Sequence, residues 1–413
     1  MLWFQVGSDE GSWSKMFNFT SYDPEVSETH AFLFGDMGTS APYTTCSLTQ
    51  PESRNTIKWL TRDIAKLGEK PSFISHIGDI SYARGYAWLW DLFFSQIEPI
   101  ASHVPYHVCI GNHEYNWPLQ PWRPLWAQNI YGKDGGGECG IPYSLRFSMP
   151  GNSSLPTGAG NIATRNLYYS LDFGSVHFLY ISTEINFLPE SEQYAFILQD
   201  LEGVDRAKTP FVVVLGHRPM YTTQYTSPLI DKLRESLEPL LVRYNVNLAL
   251  WGHVHNYERT CPLRNFTYSN SPSSYGTAPI HVVIGMGGQD WQPPRLTSPD
   301  HPEDPIFPQP EWSLYRGDQL GYTRLYATKE LLTLSYVGNH DGQVHDSITI
   351  TSTNTQMLIK NSDNPVRLQS WFLLVSSSLL SGMGLGIALA MWFSHRTRRL
   401  RQWLPIHDTE VIL

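Results

Sequence analysis

The stretch Leu250 to Thr260, LWGHVHNYERT, sets His253 and His255 two residues apart behind an apolar run and a glycine. A strand end followed by a polar loop accounts for that pattern. So does a metal centre with each imidazole on a different ion. Such a centre needs further ligands, and four more places in the chain offer them. AFLF runs into Gly35-Asp36, FISHI into Gly78-Asp79 with Tyr82 close behind, YHVCI into Gly111-Asn112-His113, and FVVVL into Gly216-His217. Singly, each reads as an ordinary turn or a satisfied histidine. Five strand-end clusters in order, each carrying metal-ligating side chains, form a joint signal.

The elements that must position these residues read as α/β from Thr29 onward. Ser53 to Leu67 is predicted helical, with Ile57, Leu60, Ile64 and Leu67 on one face. WLWDLFFSQIEPIA, Glu190 to Leu201 and Leu229 to Tyr244 are predicted as further helices. NLYYSLDF and SVHFLYIS read as a hairpin, and two or three late strands (IHVVIGM, TRLYATKE, LLTLSYVG) close the domain. The stretch 116–165 reads as a loop rich in Gly, Pro and Trp. Ligands of open α/β sheets bind beyond the carboxyl ends of the strands. The five clusters should therefore share one crevice, each glycine letting the chain bend so that the next side chain points inward.

With 413 residues and a net charge of -9, the chain can hold one large domain or two ordinary ones and is a poor match for nucleic acid. Metal ions can still supply local positive charge for a phosphorylated substrate. The cysteines at 46, 109, 139 and 261 contain no CxxC pair, which argues against a zinc finger. Cys109 lies in an apolar strand and reads as a small hydrophobe; one or two disulfides can form, and the sequence does not pair them. Sequons at Asn18, Asn152 and Asn265 allow glycosylation in a secretory compartment. Trp371 to Phe393 is uncharged, mostly apolar, flanked by aromatics and followed by Arg396, Arg398, Arg399 and Arg401. It reads as a single transmembrane helix. Its GxxxG at Gly382 and Gly386 allows a homodimer face.

The ordered set GDMG (35–38), GDISY (78–82), GNHE (111–114), VVLGH (213–217) and GHVH (252–255) resembles the five-block signature of the purple acid phosphatases, a branch of the metallophosphoesterases. The likeness runs from the first residues to about Thr351. It is closest to the large plant enzymes, especially the subgroup with GHRPMYTT and a hydrophobic C-terminal tail. The first residues alternate like two strands about Gly11, and VGSDEGSW resembles the end of the family's fibronectin-like N-terminal domain. The resemblance implies an α/β fold, a β-sandwich flanked by helices (αββα). The division it implies is a domain remnant at 1–28, a catalytic domain at 29–352, a linker at 353–370, a membrane helix at 371–393 and a basic tail at 394–413.

By motif position the family implies that Asp36, Tyr82 and His255 bind a first metal, that Asn112, His217 and His253 bind a second, and that Asp79 bridges both. The residue chemistry agrees. Three hard oxygens and one imidazole suit Fe(III), whereas an amide, two imidazoles and the shared carboxylate suit Zn, Mn or Fe(II). Many metallophosphoesterases have a histidine two residues after the first aspartate; here that position is Gly38, and Tyr82 supplies a ligand instead.

The implied activity is acid phosphatase. A hydroxide held on the metals attacks a phosphate monoester in line. His113 is the candidate for stabilising the transition state or protonating the leaving oxygen, with a structural hydrogen bond to a ligand as the alternative. The second metal ligand, Asn112, also borders the substrate. Better-known plant members carry paired histidines about nine residues after the VxxH histidine. This chain has GHRPMYTTQYTSP, where Arg218, Tyr221 or Tyr225 takes over phosphate contact or simply packs the loop. Diester or pyrophosphate hydrolysis on the same centre, and a non-catalytic membrane scaffold, are the competing readings. The heavier positive flank after the apolar segment favours an extracellular or lumenal catalytic domain. The short tail, Ser394 to Leu413, leaves a tail anchor on an organelle surface as the alternative.

Overall fold

The chain opens with a hairpin, Leu2–Phe4 (β1) paired antiparallel with Phe17–Phe19 (β2). Gly11 N–H donates to Ser8 O in its turn. Strands and helices then alternate: Thr29–Phe34 (β3), Ser53–Leu67 (α1), Phe73–Ile77 (β4), Ala87–Ala101 (α2), Tyr106–Cys109 (β5), Asn112–Tyr115 (α3), Ile141–Arg146 (α4), Tyr169–Phe173 (β6), Val176–Tyr180 (β7), Glu192–Gly203 (α5), Phe211–Gly216 (β8), Pro228–Arg243 (α6) and Leu248–Trp251 (β9). The rest is strand: Tyr257–Arg264 (β10), Thr267–Tyr268 (β11), Ile280–Ile284 (β12), Ser313–Arg316 (β13), Gly321–Ala327 (β14), Leu331–Gly338 (β15), Val344–Thr351 (β16) and Met357–Lys360 (β17). This computed structural model describes residues 1–23, 25–41, 49–118, 125–127, 132–151, 166–224, 226–268, 278–290, 309–352 and 357–360. All lie within one compact unit, Met1–Asn361.

Two mixed sheets carry the fold. One has the order β17-β16-β15-β14-β3-β4-β5, with β3, β4 and β5 parallel. The other has the order β11-β10-β12-β9-β8-β7-β6, with β7, β8, β9 and β12 parallel and β13 on β10. Alternation along the strands sorts side chains into layers. Ala31 and Leu33 of β3 join Val213, Leu215, Leu248 and Leu250 between the sheets. Phe32 and Phe34 face the other way, against Ile57 and Leu60 of α1 and Phe93 and Ile97 of α2. On the far side, Val212, Val214 and Trp251 pack on Ile197 and Leu201 of α5 and on Leu233 and Leu237 of α6. The result is the four-layer αββα arrangement. The parallel strands are largely buried on both faces, which is why they read as mostly apolar runs.

The expected helices form with small shifts set by capping. Ser191 Oγ accepts the Tyr194 N–H, so α5 starts at Glu192 rather than Glu190. Ser227 caps α6, with Pro228 as its first residue. The expected loop at 116–165 contains α4. The count of late strands needs correction, since eight follow β9 rather than two or three. Charged residues in β10 and β16 made them look like loops. Arg259 and Asp346 are nevertheless buried, because they pair with each other. The apolar segment 371–393 and its GxxxG lie outside the described residues; among the described residues, no helix is long and apolar enough to cross a membrane.

Candidate metal centre

The carboxyl ends of β3, β4 and β5 in one sheet and of β8 and β9 in the other meet across the sandwich. The join is visible in hydrogen bonds between the loops. His253 N–H donates to Asp36 Oδ2 (2.8 Å), and His217 Nδ1 donates to Ile77 O (3.0 Å). Of the glycines at these ends Gly78 alone takes a left-handed bend itself (φ 85). Asp36 (φ 58), Asp79 (φ 50), Tyr82 (φ 51) and His253 (φ 69) themselves occupy the left-handed region. What the glycines allow is close approach. A Cβ on Gly78 would lie 2.4 Å from His217 Nδ1, and one on Gly111 would lie 2.3 Å from Asp79 Oδ1.

Two groups of donor atoms form about Asp79. In the first, Tyr82 Oη lies 3.3 Å from Asp36 Oδ1, 3.4 Å from Asp79 Oδ2 and 3.1 Å from His255 Nε2. In the second, Asn112 Oδ1 lies 2.9 Å from His217 Nε2 and 2.7 Å from His253 Nδ1, and His217 Nε2 is 3.3 Å from Asp79 Oδ1. The ligand atoms of Asp79, His217 and His253 all lie within 4.8 Å of one another. One carboxylate thus presents an oxygen to each group. The other nitrogens of two histidines are occupied: His217 Nδ1 by Ile77 O and His255 Nδ1 by Asp290 O (3.0 Å). That leaves each Nε2 facing the centre as the nitrogen that can meet an ion.

Electrostatics make this pocket a good fit for cations. Burial pushes Asp36 well above the usual carboxylate range, with Asp79 adding to it against the pull of His217. Burial would raise Asp79 too, but His217 and His113 hold it well below the usual range. Asp79 in turn overrides the burial of His217 and lifts it to about 10. Burial, then Asp36 and Asp79, push the Tyr82 phenol well above its ordinary value, so a phenolate here needs a cation beside it. His255 is pushed down to about 4 by burial and is neutral, as a metal ligand must be. Buried carboxylates and imidazoles converging on one point suit two metal ions, with His217 giving up the proton that Asp79 holds on it when an ion binds.

His113 sits at the edge of this group. Its ring packs on Tyr82 with centroids 4.3 Å apart, and its Nε2 is 3.9 Å from Asp79 Oδ2. Its Nδ1 has no hydrogen-bond partner among the described residues. Arg218 is beside the second group. Its Nη1 is 3.2 Å from His253 Nε2, while Nε and Nη2 grip Glu184 at 2.8 and 3.2 Å. Tyr221 is not brought to the centre, which corrects the expectation of a phosphate contact. It is buried, its hydroxyl donates to Glu238 of α6, and its ring packs on Phe266 and His281. Tyr225 lies outside the described residues.

Sequence reasoning passed over three supporting groups. Glu114 accepts N–H groups from Gly111 (3.0 Å), Asp79 (2.9 Å) and Ile80 (2.7 Å), stapling two ligand loops together. Its place three residues after the strand-end glycine, inside GNHE, was the available signal. Buried Glu184 holds Arg218, and His76 Nε2 accepts the Met37 N–H (3.4 Å) next to Asp36. Neither carries a sequence signal, because the partners lie far away in the chain.

Comparison with known proteins places this architecture. Residues 29–257 match the family model described as calcineurin-like phosphoesterase. Residues 278–347 match the one described as iron/zinc purple acid phosphatase-like protein C. The chain belongs to the purple acid phosphatase family of metallophosphoesterases. It is 57% identical to a protein of Arabidopsis thaliana named "Probable inactive purple acid phosphatase 9", over 88% of this chain and 56% of that one. It is 33% identical to a Hordeum vulgare protein named nucleotide pyrophosphatase/phosphodiesterase, over 82% of this chain and 88% of that one. Among solved structures, a purple acid phosphatase from yellow lupin seeds matches with a TM-score of 0.69 and 33% identity, over 84% of this chain and 59% of the other. The chain thus spans about half the length of the first Arabidopsis relatives it matches.

Proposed function

We propose that this chain hydrolyses phosphate monoesters at a centre of two metal ions, Fe(III) in the first site and Zn, Mn or Fe(II) in the second. The observation that carries the reading is the division of the donor atoms about Asp79: Asp36, Tyr82 and His255 on one side, Asn112, His217 and His253 on the other. Ions held there would supply a water-derived nucleophile and positive charge for the phosphoryl oxygens. The chain's own residues do the rest. His113, at the rim with Nδ1 unpartnered among the described residues, can protonate a leaving oxygen or stabilise charge developing on it. Arg218, held by Glu184 beside His253, can meet a phosphate oxygen with its outer N–H. The name given to the first Arabidopsis relative points away from activity, but no ligand type is missing from the set here.

The name of the barley relative favours pyrophosphate or diester hydrolysis on the same centre as the second reading. Measuring metal content and product release together separates these possibilities. The full chain, loaded with iron and zinc, is assayed on p-nitrophenyl phosphate, bis(p-nitrophenyl) phosphate and a nucleoside diphosphate. Fast turnover of the monoester supports the proposal. Preference for the diester or the diphosphate selects the second reading. Two bound metals without turnover on any substrate leave a non-catalytic scaffold. Anchorage through 371–393, with the catalytic domain lumenal or extracellular, is part of the same proposal and is tested by protease protection of intact membranes.

A further inference from the structure

A side-chain amide can present either its oxygen or its NH2, and only the oxygen can ligate a cation. Asn112 is nearly fully buried and shows Oδ1 to both His217 Nε2 and His253 Nδ1. Its Nδ2 donates to Asp134 Oδ2 at 3.2 Å. The same oxygen accepts Asn116 Nδ2 at 3.1 Å, and Gly135 N–H donates to Asn116 O at 3.0 Å. A carboxylate only accepts, so the NH2 of Asn112 must face Asp134 and the oxygen must face the imidazoles. The stretch around Asp134 also reaches the other ligand loop. Glu138 Oε1 accepts the Gly85 N–H at 3.1 Å, three residues after Tyr82. At Gly136 (φ +57) a Cβ would lie 2.4 Å from the Arg84 backbone.

We propose that Asp134 is a positioning residue for the second cation site. As the acceptor for the Asn112 NH2, it locks the amide with its oxygen toward the ion. Without it, the amide is free to turn and offer the ion two N–H donors. The inference rests on the two-ion reading above.

The test uses the full chain carrying one equivalent of iron, titrated with Zn(II) against a chromophoric chelator. Asp134→Ala should bind zinc about 10–100-fold more weakly than the wild type, while keeping its iron and its metal-free melting temperature. Asp134→Asn, whose amide oxygen still accepts, should stay near the wild type. Wild-type zinc affinity in Asp134→Ala overturns the inference alone. So does an equal loss in both variants, which would assign the effect to charge rather than to amide orientation. Loss of iron together with zinc would make Asp134 a general structural support and also overturns it. A wild-type chain that takes up no zinc defeats the two-ion reading, and this inference with it.

Discussion

Arg259 and Asp346 form a two-armed ion pair that ties one sheet to the other. Nε to Oδ2 is 2.6 Å and Nη2 to Oδ1 is 2.8 Å, between β10 and β16, with both side chains buried. Tyr257 Oη donates to the same carboxylate at 2.8 Å. Removing one partner leaves the other charge buried and unpaired. Asp346→Ala should therefore lower stability by roughly 3–5 kcal/mol, read by urea denaturation of the metal-free chain. A loss below about 1 kcal/mol would mean that water reaches Arg259 when its partner is gone.

His177 offers a pH-dependent contribution. Its Nδ1 is 2.8 Å from Asp172 Oδ1 and its Nε2 is 2.8 Å from Asp200 Oδ2, with Lys208 on the other oxygen of Asp172. Burial would lower this imidazole, but the two carboxylates outweigh it and raise it to about 9. A group raised on folding stabilises fully below its unfolded value and loses that stabilisation as pH rises through its folded value. His177→Gln should therefore be less stable than the wild type by roughly 3 kcal/mol near pH 6, and the gap should close above about pH 9. Thermal melts of both proteins across this range provide the check. A gap independent of pH would assign the loss to packing.

At Gly78 the backbone has φ +85, and an added Cβ would meet His217 Nδ1 at 2.4 Å. Gly78→Ala should push the imidazole off its line and cost about 1–3 kcal/mol in overpacking. Metal analysis of the purified variant should show a deficit at the proposed second site, to which His217 is assigned. Full occupancy would show that the loop can shift without losing His217 as a ligand.

Tyr82 should give the iron-loaded protein a visible charge-transfer band. Tyr82→Phe should remove the colour, measured by absorption spectra beside metal content. A colourless wild type with zinc or manganese in both sites would rule out the Fe(III) assignment and leave a plain metallophosphoesterase.

His113→Ala should keep both metals and lower turnover by roughly 10²–10⁴-fold. Unchanged turnover would remove it from the mechanism. Metal loss would make it a support for Asp79, whose Oδ1 already accepts the His113 backbone N–H at 2.8 Å.

β3, β4, β5, β8 and β9 were legible because burial leaves a mostly apolar run ending at a proposed ligand. The α1 and α2 helices were legible because their apolar spacing is regular. What stayed hidden depends on distant partners. Nothing local in YERTCPLR says that Arg259 will find Asp346 87 residues later. Glu258 looks equally exposed in the sequence, yet it accepts hydrogen bonds from Thr222, Thr223 and Ser313. Tyr221 invited a substrate role because it sits near His217 in sequence, while Asp134 attracted no notice 22 residues from Asn112. Loop proximity along the chain proved a poor guide to proximity in space.

The left-handed backbone at Asp36, Asp79, Tyr82 and His253 sets function against stability. Each non-glycine residue held there costs about 1 kcal/mol, so the four together oppose folding by several. Glycine at any of these positions would relieve the strain while removing a proposed ligand. At Asp79 that relief is offset by the His113 N–H left without its acceptor, and at Tyr82 by the cavity left beside the His113 ring. The chain thus holds four strained residues side by side at the proposed metal centre.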